Sequence, residues 1–297
     1  MTLEQLRIFV AVALREHVTQ GARDLNLTQS ATSAAIAALE ARYATRLFDR
    51  VGRRVVLTEA GRLFLAEARA VLARAAEAET ALADLAGLKR GTLRLAGSQT
   101  VANYWLPPLM NRYHALYPGI ALSLVIGNTN SVAAQVHDGS ADLGVVEGEV
   151  VDPALGVEPV DGDELVLVVA PGHPWASTAP GAPAAFAAER WILRERGSGT
   201  RSAFEAALPE WGLTPGDLRV ALEFPSNEAV RSAVEAGAGA AVLSRLVVAA
   251  SLLAGSLVAV PAALPRRRFY ALRRQERHVT QAQRAFLALA ASTARPP

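Results

Sequence analysis

One stretch near the N-terminus constrains the fold more than any other, because it has the pattern of two short helices joined by a tight turn. Residues 18–27, VTQGARDLNL, lead directly into residues 28–40, TQSATSAAIAALE. Thr19 and Thr28 stand where N-cap residues of two helices are expected. Asn26 lies between them and tolerates the left-handed backbone of a turn. The pattern predicts a helix-turn-helix whose second helix begins at an exposed, polar end.

The segments on either side of this stretch complete a small winged domain. Residues 2–15 carry apolar side chains at helical spacing and predict an amphipathic helix. Residues 47–61 predict two short strands joined by a tight turn over residues 51–54. Because arginines occupy the tip of that turn, the hairpin is a candidate wing for contact with backbone phosphates or a minor groove.

A long alanine-rich helix is predicted next, capped by Thr58 and covering residues 59–88. At ~1.5 Å per residue it reaches roughly 45 Å, which is too long for burial inside a small domain. We therefore expect a linker that pairs with a second copy of the chain. The expected domains are 1–58 for the winged helix-turn-helix, 59–90 for the linker and dimerisation helix, and 91–297 for the remainder.

Positive charge is concentrated locally rather than spread over the chain. The formal net charge is only +2 for 297 residues, yet between residues 42 and 62 the arginines face only Asp49 and Glu59. These arginines are Arg42, Arg46, Arg50, Arg53, Arg54 and Arg62. A basic patch in a near-neutral protein suggests contact with a polyanion, and the alternative is a solvated arginine face.

Neither a disulfide framework nor a membrane span is expected. The chain has no cysteine, which also excludes a thiolate metal site and a cysteine nucleophile. Residues 246–264 are uncharged and long enough to span a bilayer, but Gly255 and Pro261 interrupt them. We interpret this stretch as a short helix, a turn at Gly255 and a buried strand over 257–260. The N-terminus lacks the pattern of a signal peptide, so a cytoplasmic location is expected.

Beyond residue 91 the sequence alternates between strands and helices, which predicts an α/β fold with a parallel sheet. Predicted strands cover 92–96, 120–126, 141–146, 161–170, 191–194, 219–224, 240–243 and 266–272. We expect the chain to leave a first α/β unit and to return to it at its end. The expected division is therefore subdomain I over 91–161 and 266–297, with subdomain II over 162–265.

Polar residues cluster where several of these strands end. In doubly wound sheets, ligands bind at such strand ends and at the N-termini of the following helices. The candidate ligand-binding residues are Ser98, Gln99, Thr100, Asn128, Thr129, Glu147, Arg194, Ser198, Gly199, Thr200 and Asn227. Hydroxyls and backbone N–H groups suit a small anion, with Arg194 and Arg201 as candidate partners of Glu147. The alternative for each Ser or Thr is a simple helix cap.

Candidate DNA contacts come from the start of the second helix and from the wing. They are Thr28, Gln29, Ser30, Thr32, Ser33, Arg50, Arg53 and Arg54. Glutamine can pair bidentately with adenine, while serine and threonine can contact bases or phosphates. A two-fold dimer would favour a pseudo-palindromic site in double-stranded DNA.

No enzymatic constellation is evident, so we do not expect an enzyme. The five histidines are scattered without metal-ligand spacing. The 197–200 turn is neither a nucleophile elbow nor a P-loop, and no metal or cofactor is expected. Two alternatives are kept: a small-molecule binding protein for uptake, and an enzyme with a fused DNA-binding domain.

The sequence as a whole resembles the LysR-type transcriptional regulators. In the first ninety residues the resemblance is carried by LEQLRIFVAVA, GARDLNLTQSATSAAIAALE, LFDR and VGRRVVLTEAG. Farther along it is carried by LPPLMNRYHALYPGIALSLVIGNTN, ADLGVVEGEV, DELVLVVAPGHPW and WILRERGSGTR. The NTN, VEG and RERGSGTR segments are similar to the branch that governs sulfur, carbon or nitrogen assimilation.

This resemblance implies a ligand-responsive regulator with a two-subdomain effector module like a type 2 periplasmic binding protein. It implies a homodimer through the long helix, assembled further as a homotetramer, with a small-molecule co-inducer and RNA polymerase among its partners. Two departures from the family pattern stand out. Alanines at 34, 35, 37 and 38 occupy the middle of the second helix, which leaves fewer base-reading side chains. Gly21 replaces an expected Ala, which is expected to weaken its helix by up to ~1 kcal/mol.

Overall fold

A computed structural model of the chain describes residues 1–52, 54–85, 91–148, 150–276 and 279–293. Its contacts form two compact units. One contains Met1–Leu82 with Asp138–Ser140, and the other contains Ala83–His137 with Ala141–Pro297. The first unit holds the predicted winged domain, and the second holds the predicted α/β module.

The first unit contains four helices and one hairpin among its described residues. They are α1 (Leu3–Arg15), α2 (Val18–Asp24), α3 (Gln29–Tyr43), β1 (Phe48–Val51), β2 (Arg54–Leu57) and α4 (Glu59–Leu85). The ring of Phe9 on α1 lies at the centre of the core, 5.3 Å from the ring of Phe48 and 4.9 Å from that of Phe64. These contacts join α1 to the hairpin and to the start of α4, so the helices and the wing share one core.

The helix-turn-helix is confirmed, with one correction at its start. Helix α2 begins at Val18, and His17 occupies the cap position without a side-chain cap bond, so the prediction that Thr19 caps this helix is wrong. Asn26 adopts the expected left-handed conformation, with φ of 55°. Thr28 caps α3 by accepting a hydrogen bond from the backbone N–H of Ala31 at 3.2 Å.

Gly21 has a packing role that its weak helix propensity conceals. A Cβ at this position would lie 2.8 Å from Val12 Cγ2 and 2.9 Å from the Val12 backbone. Helix α2 therefore approaches α1 too closely for an alanine. The absence of a side chain lets the two helices cross, which outweighs the propensity argument.

The long helix is also confirmed over its described length. Thr58 Oγ1 accepts a hydrogen bond from the Gly61 backbone N–H at 2.9 Å, which caps α4. The helix has 27 residues up to Leu85, or about 40 Å. Its predicted continuation to residue 88 lies outside the described residues.

The second unit alternates strands and helices as expected. Its elements are β3 (Gly91–Ser98), α5 (Leu106–Leu116), β4 (Ile120–Gly127), α6 (Thr129–Asp138), β5 (Leu143–Glu147), β6 (Leu155–Val169), α7 (Pro183–Ala188), β7 (Arg190–Arg194), α8 (Gly199–Ala207), β8 (Arg219–Phe224), α9 (Asn227–Glu235), β9 (Ala241–Ser244), α10 (Arg245–Ala254), β10 (Val258–Val260), β11 (Arg266–Arg274) and α11 (Gln281–Thr293). A π-helical turn at Val101–Trp105 precedes α5. It ends next to Pro107 and Pro108, where the sequence predicted an interruption.

The parallel sheet is confirmed only in part. Strand β3 pairs in parallel with β4 and β5, and β7 pairs in parallel with β8. The long strands β6 and β11 instead pair antiparallel with each other, and β6 also pairs antiparallel with β9 and β10. The main sheet is therefore mixed, because two long strands pass from one half of the unit to the other.

Each half of the second unit has its own hydrophobic core. One core surrounds β3, β5 and α11, and contains Tyr113, Phe269 and Phe286. The other surrounds β7 and α8, and contains Trp191 and Phe204. Strands β6 and β11 run between these two cores and join the halves.

The uncharged stretch over residues 246–264 folds as the expected helix, turn and strand, but the strand is only partly buried, because Ala259 is exposed and Val258 is half-buried. Helix α10 ends at Gly255, whose φ is +73°, and β10 follows it and pairs with β6. Within the described ranges, no helix is both long and apolar enough to cross a membrane.

Candidate functional site

The first candidate surface lies at the start of α3. The side chains of Gln29 and Ser30 are exposed, and Ser33 is half-buried. The Thr28 hydroxyl contacts the Ser30 hydroxyl at 3.1 Å while it caps the helix. The first turn of α3 thus presents amide and hydroxyl groups to solvent, and the exposed Ala34, farther along, adds a methyl group.

Thr32 does not belong to this surface. Its side chain is 0% exposed, and its hydroxyl has no hydrogen-bond partner in the part of the chain that the structure describes. Thr32 faces the core one turn before Ile36, which is also buried. This corrects the expectation that Thr32 contacts DNA, because a side chain on the inner face of α3 cannot reach a groove.

The wing is an antiparallel hairpin whose two strands, β1 and β2, have four residues each. Val51 pairs with Arg54, and Gly52 supplies the positive φ of +63° that the tight turn requires. Arg50 and Arg54 are exposed on this hairpin. Arg53 lies outside the described residues. The described arginines of the wing are therefore available to a phosphate backbone.

Glu40 connects the helix to the wing, and sequence reasoning missed it. Its carboxylate accepts hydrogen bonds from the backbone N–H groups of Leu47 at 2.7 Å and Phe48 at 3.1 Å. Helix α3 and the first strand of the hairpin are thereby held in one geometry. A sequence signal existed, since Glu40 is the sole acidic residue between positions 25 and 48.

The second candidate site lies between the two halves of the α/β unit. Three polar residues at helix starts act as caps there, and two of them, Asn128 and Ser198, are predicted site residues. Asn128 Oδ1 accepts from the Ser131 N–H at 2.9 Å at the start of α6. Ser198 Oγ lies 3.5 Å from the Arg201 N–H at the start of α8, and Ser226 caps α9. Capping therefore accounts for the hydrogen bonds that these side-chain oxygens accept.

The other polar residues make buried contacts that capping does not explain. Thr100 does not cap the π-helical turn. Its hydroxyl instead accepts from Asn227 Nδ2 at 3.1 Å, and both side chains are fully buried. Asn227 Oδ1 accepts from Arg194 Nη1 at 2.5 Å, and Gln99 Oε1 accepts from the Asn227 backbone N–H at 2.9 Å. The contacts of Thr100 and Gln99 with Asn227 cross from one half of the unit to the other, whereas the contact between Arg194 and Asn227 lies within one half.

Arg194 forms a pair with its sequence neighbour. Its guanidinium donates to the Glu195 carboxylate at 2.8 and 3.0 Å, and Asn128 Nδ2 donates to the same carboxylate at 3.1 Å. Partial burial alone would raise the pKa of Glu195, but the hydrogen bonds and charge of Arg194 hold it below its usual range. Glu195 is therefore an ionised carboxylate of this site.

Glu147 ends β5 in the middle of the site. Its backbone carbonyl accepts from Thr129 Oγ1 at 2.8 Å, and its backbone N–H donates to Ser98 Oγ at 3.3 Å. A Cβ on Gly199 would lie 1.9 Å from that carbonyl oxygen, so only glycine lets α8 begin at this position. Six of the predicted residues thus meet around Glu147 or the adjacent Thr100 contact: Ser98, Thr100, Thr129, Glu147, Gly199 and Asn227.

The arginine that faces Glu147 is Arg267, not Arg194 or Arg201. Arg267 Nη1 lies 3.7 Å from Glu147 Oε1 and donates to Thr200 Oγ1 at 2.9 Å. Arg201 is instead engaged by Glu205 and Glu223. The predicted partners of Glu147 are therefore wrong, because strand β11 brings a distant arginine into the site.

Arg267 and its partner Asp163 were missed by sequence reasoning, although strand alternation carries a signal for each. Arg267 has the same phase in β11 as the buried Phe269, and Asp163 has the same phase in β6 as the buried Leu165. A charged residue in the inward phase of a strand is uncommon and indicates a buried pair. Burial raises the pKa of the Glu147 carboxyl beside them, although the positive charge of Arg267 opposes that shift.

Two protein-family models match the chain along most of its length. Residues 3–62 match the bacterial regulatory helix-turn-helix protein, lysR family. Residues 86–295 match the LysR substrate binding domain. The first match contains the helix-turn-helix and the wing. The second contains the polar residues around Glu147, which we call the polar edge: Ser98, Thr100, Thr129, Gly199, Thr200, Asn227, Asp163 and Arg267.

Curated relatives match over nearly the whole chain. The transcriptional regulator YeiE of Escherichia coli K12, whose own role is uncharacterised, is 38% identical over 97% of this chain and 96% of its own. The RuBisCO operon transcriptional regulator of Allochromatium vinosum is 35% identical over 96% of this chain and 94% of its own. Both names are those of regulators rather than enzymes.

Solved structures agree with the architecture. Full-length CbnR complexed with its target DNA superposes with a TM-score of 0.71 at 20% identity, covering 99% of this chain and 100% of its own, which shows a shared fold. The regulatory domain of Synechocystis PCC6803 CcmR in complex with 2-PG superposes with a TM-score of 0.63 at 28% identity, covering 69% of this chain and 98% of its own. The chain belongs to the LysR family of DNA-binding transcriptional regulators, with an N-terminal helix-turn-helix and a C-terminal LysR substrate-binding domain.

Proposed function

We propose that the start of α3 and the β1–β2 wing bind promoter DNA, and that the polar edge of the second unit binds a small anionic effector that modulates this binding. For DNA, the main support is the exposed polar first turn of α3 together with the exposed Arg50 and Arg54 of the wing. Gln29 and Ser30 would contact base edges, while the arginines would contact phosphates. CbnR, which shares the fold, was solved on its target DNA.

For the effector, the support is the convergence of helix N-termini on buried hydroxyl and amide groups. Helices α6, α8 and α9 all begin at this edge, where Thr129, Thr200 and Asn227 are buried. The N-terminus of a helix favours negative charge because its first N–H groups point outward. An anion bound here would replace internal contacts such as the hydrogen bond between Thr100 and Asn227. The CcmR regulatory domain binds 2-PG.

The assembly is proposed from apolar residues that the single chain leaves exposed. On α4, Leu63, Val71 and Leu82 are 70%, 41% and 71% exposed. They fall within about 100° of the helix circumference, as a pairing face requires. On the edge strands, Val125 of β4 and Leu222 of β8 are 51% and 42% exposed. We propose a dimer through α4 and a tetramer through the second unit, acting on RNA polymerase in the cytoplasm.

Effector control is proposed to act through the two halves of the α/β unit. An anion that changes their angle would change the spacing of the two α3 helices in the assembled protein. Such coupling between sites is typically ~1–3 kcal/mol, enough to shift promoter occupancy rather than to create it. Sequence discrimination per half-site is modest because the middle of α3 is alanine, so several half-sites act together.

The DNA proposal is tested with a gel-shift titration against the chain's own upstream region and a scrambled fragment of equal length. We expect a preference for the upstream region and an affinity that falls as salt rises, since phosphate contacts release counterions. Equal binding to both fragments, or no binding, would overturn the proposal.

A thermal-shift screen with sulfate, phosphate, small carboxylates and 2-PG then tests the effector class, because a ligand that binds the folded state raises the melting temperature.

Two substitutions separate the effector site from the DNA surface. Thr100→Ala and Ser198→Ala are expected to lose the response to an anion found in the screen and to keep DNA binding. Ser177→Ala, at the exposed C-cap of the 3-10 helix Pro174–Ala176, serves as a matched control that keeps both. A normal response in both Thr100→Ala and Ser198→Ala would show that the effector binds elsewhere.

A further inference from the structure

The carboxyl group of Glu147 is buried in the polar edge, and one of its oxygens lacks a hydrogen-bond partner among the described residues. The side chain is 2% exposed, and its Oε1 lies 3.7 Å from Arg267 Nη1. Its Oε2 is buried and has no hydrogen-bond partner among the residues that the structure describes. A buried carboxyl oxygen without a partner is costly, so this atom needs either a proton and an acceptor or a donor from a ligand.

The charge of Arg267 is already matched by another carboxylate. Arg267 donates to Asp163 through Nε at 2.7 Å and through Nη2 at 2.6 Å. Asp163 is held further by the hydroxyl of Ser244 at 2.5 Å. One arginine therefore faces two carboxyl groups. An ionised Glu147 would leave one excess buried negative charge, whereas a protonated Glu147 leaves the cluster neutral.

The other residues around Glu147 are uncharged. Strand β3 contributes Ser98 and Thr100, and hydrogen bonding by Thr100 opposes the rise in the pKa of Glu147. Helix α6 contributes Thr129, and α8 contributes Gly199 and Thr200. Over the described part of the chain, the charged groups that face Glu147 are Arg267 from β11 and Asp163 from β6. Helices α6 and α8 begin beside it and direct their positive ends toward the same space.

These surroundings set a condition on an incoming anion. A carboxylate and an anion in one buried space repel each other, while a protonated carboxyl can donate a hydrogen bond to an anion oxygen. We propose that the polar edge binds its anionic effector together with one proton, held on Glu147 and donated from Oε2 to the effector. This rests on the proposed function, namely that the effector is a small anion.

Two consequences follow for effector binding. Affinity for an anion of fixed charge must fall as pH rises, because ionising Glu147 in the free protein opposes binding. The burial of Glu147, which raises the pKa of its carboxyl, brings this transition toward neutral pH. Effector response and cell acidity would thus be linked through one side chain.

The test uses the full chain and two probes, sulfate and acetate, which keep constant charge between about pH 6 and pH 10. Affinity is measured by isothermal titration calorimetry for wild type, Glu147→Gln and the control Glu164→Gln. Glu164 neighbours Asp163 but is half-exposed and pairs with Arg245 and Arg266, so its substitution changes the same charge away from the edge. Repeating the titration in buffers of different ionisation enthalpy gives the number of protons taken up.

We expect wild type and Glu164→Gln to weaken up to tenfold per pH unit once Glu147 ionises, with up to one proton taken up per anion. Glu147→Gln keeps a donor but cannot ionise, so its affinity should be constant with pH and it should take up no proton. Proton uptake by the wild type alone tests the proposal if the variant folds poorly.

Each other outcome has a distinct meaning. Binding by the wild type that stays constant with pH through the ionisation of Glu147 in the free protein, with no proton uptake, would overturn this proposal and leave the small-anion effector in place. Loss of binding in Glu147→Gln at every pH would also overturn it, because the ligand would then need the carboxylate itself. No binding of either anion by the wild type or by Glu147→Gln at any pH would overturn the small-anion effector as well.

Discussion

Arg267 and Asp163 are direct partners in the antiparallel pairing of β11 with β6, and their side chains form a two-point ion pair with N–O distances of 2.7 and 2.6 Å. Both side chains are 2% exposed. The pair lies on the two strands that join the halves of the α/β unit. It therefore fixes these strands against each other at the point where Thr200 and Glu147 come into reach.

Removing one member of this pair should destabilise the second unit strongly. Arg267→Ala leaves Asp163 as an uncompensated buried charge, at a cost of about 3–5 kcal/mol in the free energy of unfolding. Arg266→Ala is the matched control, because Arg266 is 76% exposed and pairs with Glu164 at the surface. We expect it to cost less than about 1 kcal/mol. Urea unfolding of the two variants measures the difference, and equal losses would contradict a specific role for the buried pair.

Gly21 should resist replacement by a better helix former. Gly21→Ala adds a Cβ within 2.9 Å of the Val12 backbone, so α1 and α2 must separate. We expect a loss of about 1–3 kcal/mol from overpacking, although alanine has the higher helix propensity. Gly181→Ala is the control, because nothing lies within 4 Å of its added Cβ. A Gly21→Ala variant as stable as wild type in thermal unfolding would refute the close crossing.

How much the sequence predicts depends on whether the cause is local. Thr28 and Asn26 were identified correctly because a cap and a left-handed turn residue act within a few positions of themselves. Thr32 was assigned to the wrong face because an alanine-rich helix has almost no apolar periodicity to fix its phase. Arg267 and Asp163 are 104 positions apart, and only the register of β11 on β6 brings them together.

The polar edge shows the same limit. The position of Glu147 at the end of its strand was predicted correctly, because the end of a strand can be recognised from the local sequence pattern. Its partner was assigned to Arg194 or Arg201, which are close to other candidate residues along the chain. The correct arginine enters on a strand that returns from the other half of the unit. Long-range strand pairing is therefore what sequence reasoning lacked.

Glu40 should matter for DNA binding without touching DNA. Glu40→Ala leaves two backbone N–H groups of the wing without their acceptor, at about 1–3 kcal/mol of stability. The wing would then no longer be held relative to α3, so DNA affinity should fall as well. Glu40→Gln keeps one acceptor oxygen and should lie between Glu40→Ala and wild type. Fluorescence anisotropy with labelled upstream DNA, at a temperature where all three remain folded, measures this order. Equal affinity in all three would exclude a positioning role.

Wing arginines and the first turn of α3 should affect binding differently. Arg50→Ala and Arg54→Ala are each expected to weaken binding on all sequences and to reduce the slope of log affinity against log salt by about 1. Gln29→Ala should instead reduce the preference for the upstream region, with little change in that slope. Arg15→Ala, whose exposed partner is Asp24, is the control for loss of one charge in the same unit. An unchanged slope in both wing variants would remove the wing from the DNA surface.

Glu147 should make the stability of the free protein depend on pH. Its pKa is raised in the folded state, chiefly by burial, so the folded chain holds this proton more tightly than the unfolded chain does. The resulting stabilisation is complete below the unfolded pKa and is lost as pH rises through the folded pKa. Between those two values the wild type should lose up to about 1.4 kcal/mol per pH unit relative to Glu147→Gln. Urea unfolding of both proteins at pH 5, 7 and 9 measures this difference without any ligand. A difference that stays constant with pH, or that shifts in favour of the wild type as pH rises, would show that the Glu147 carboxyl is ionised in the folded chain.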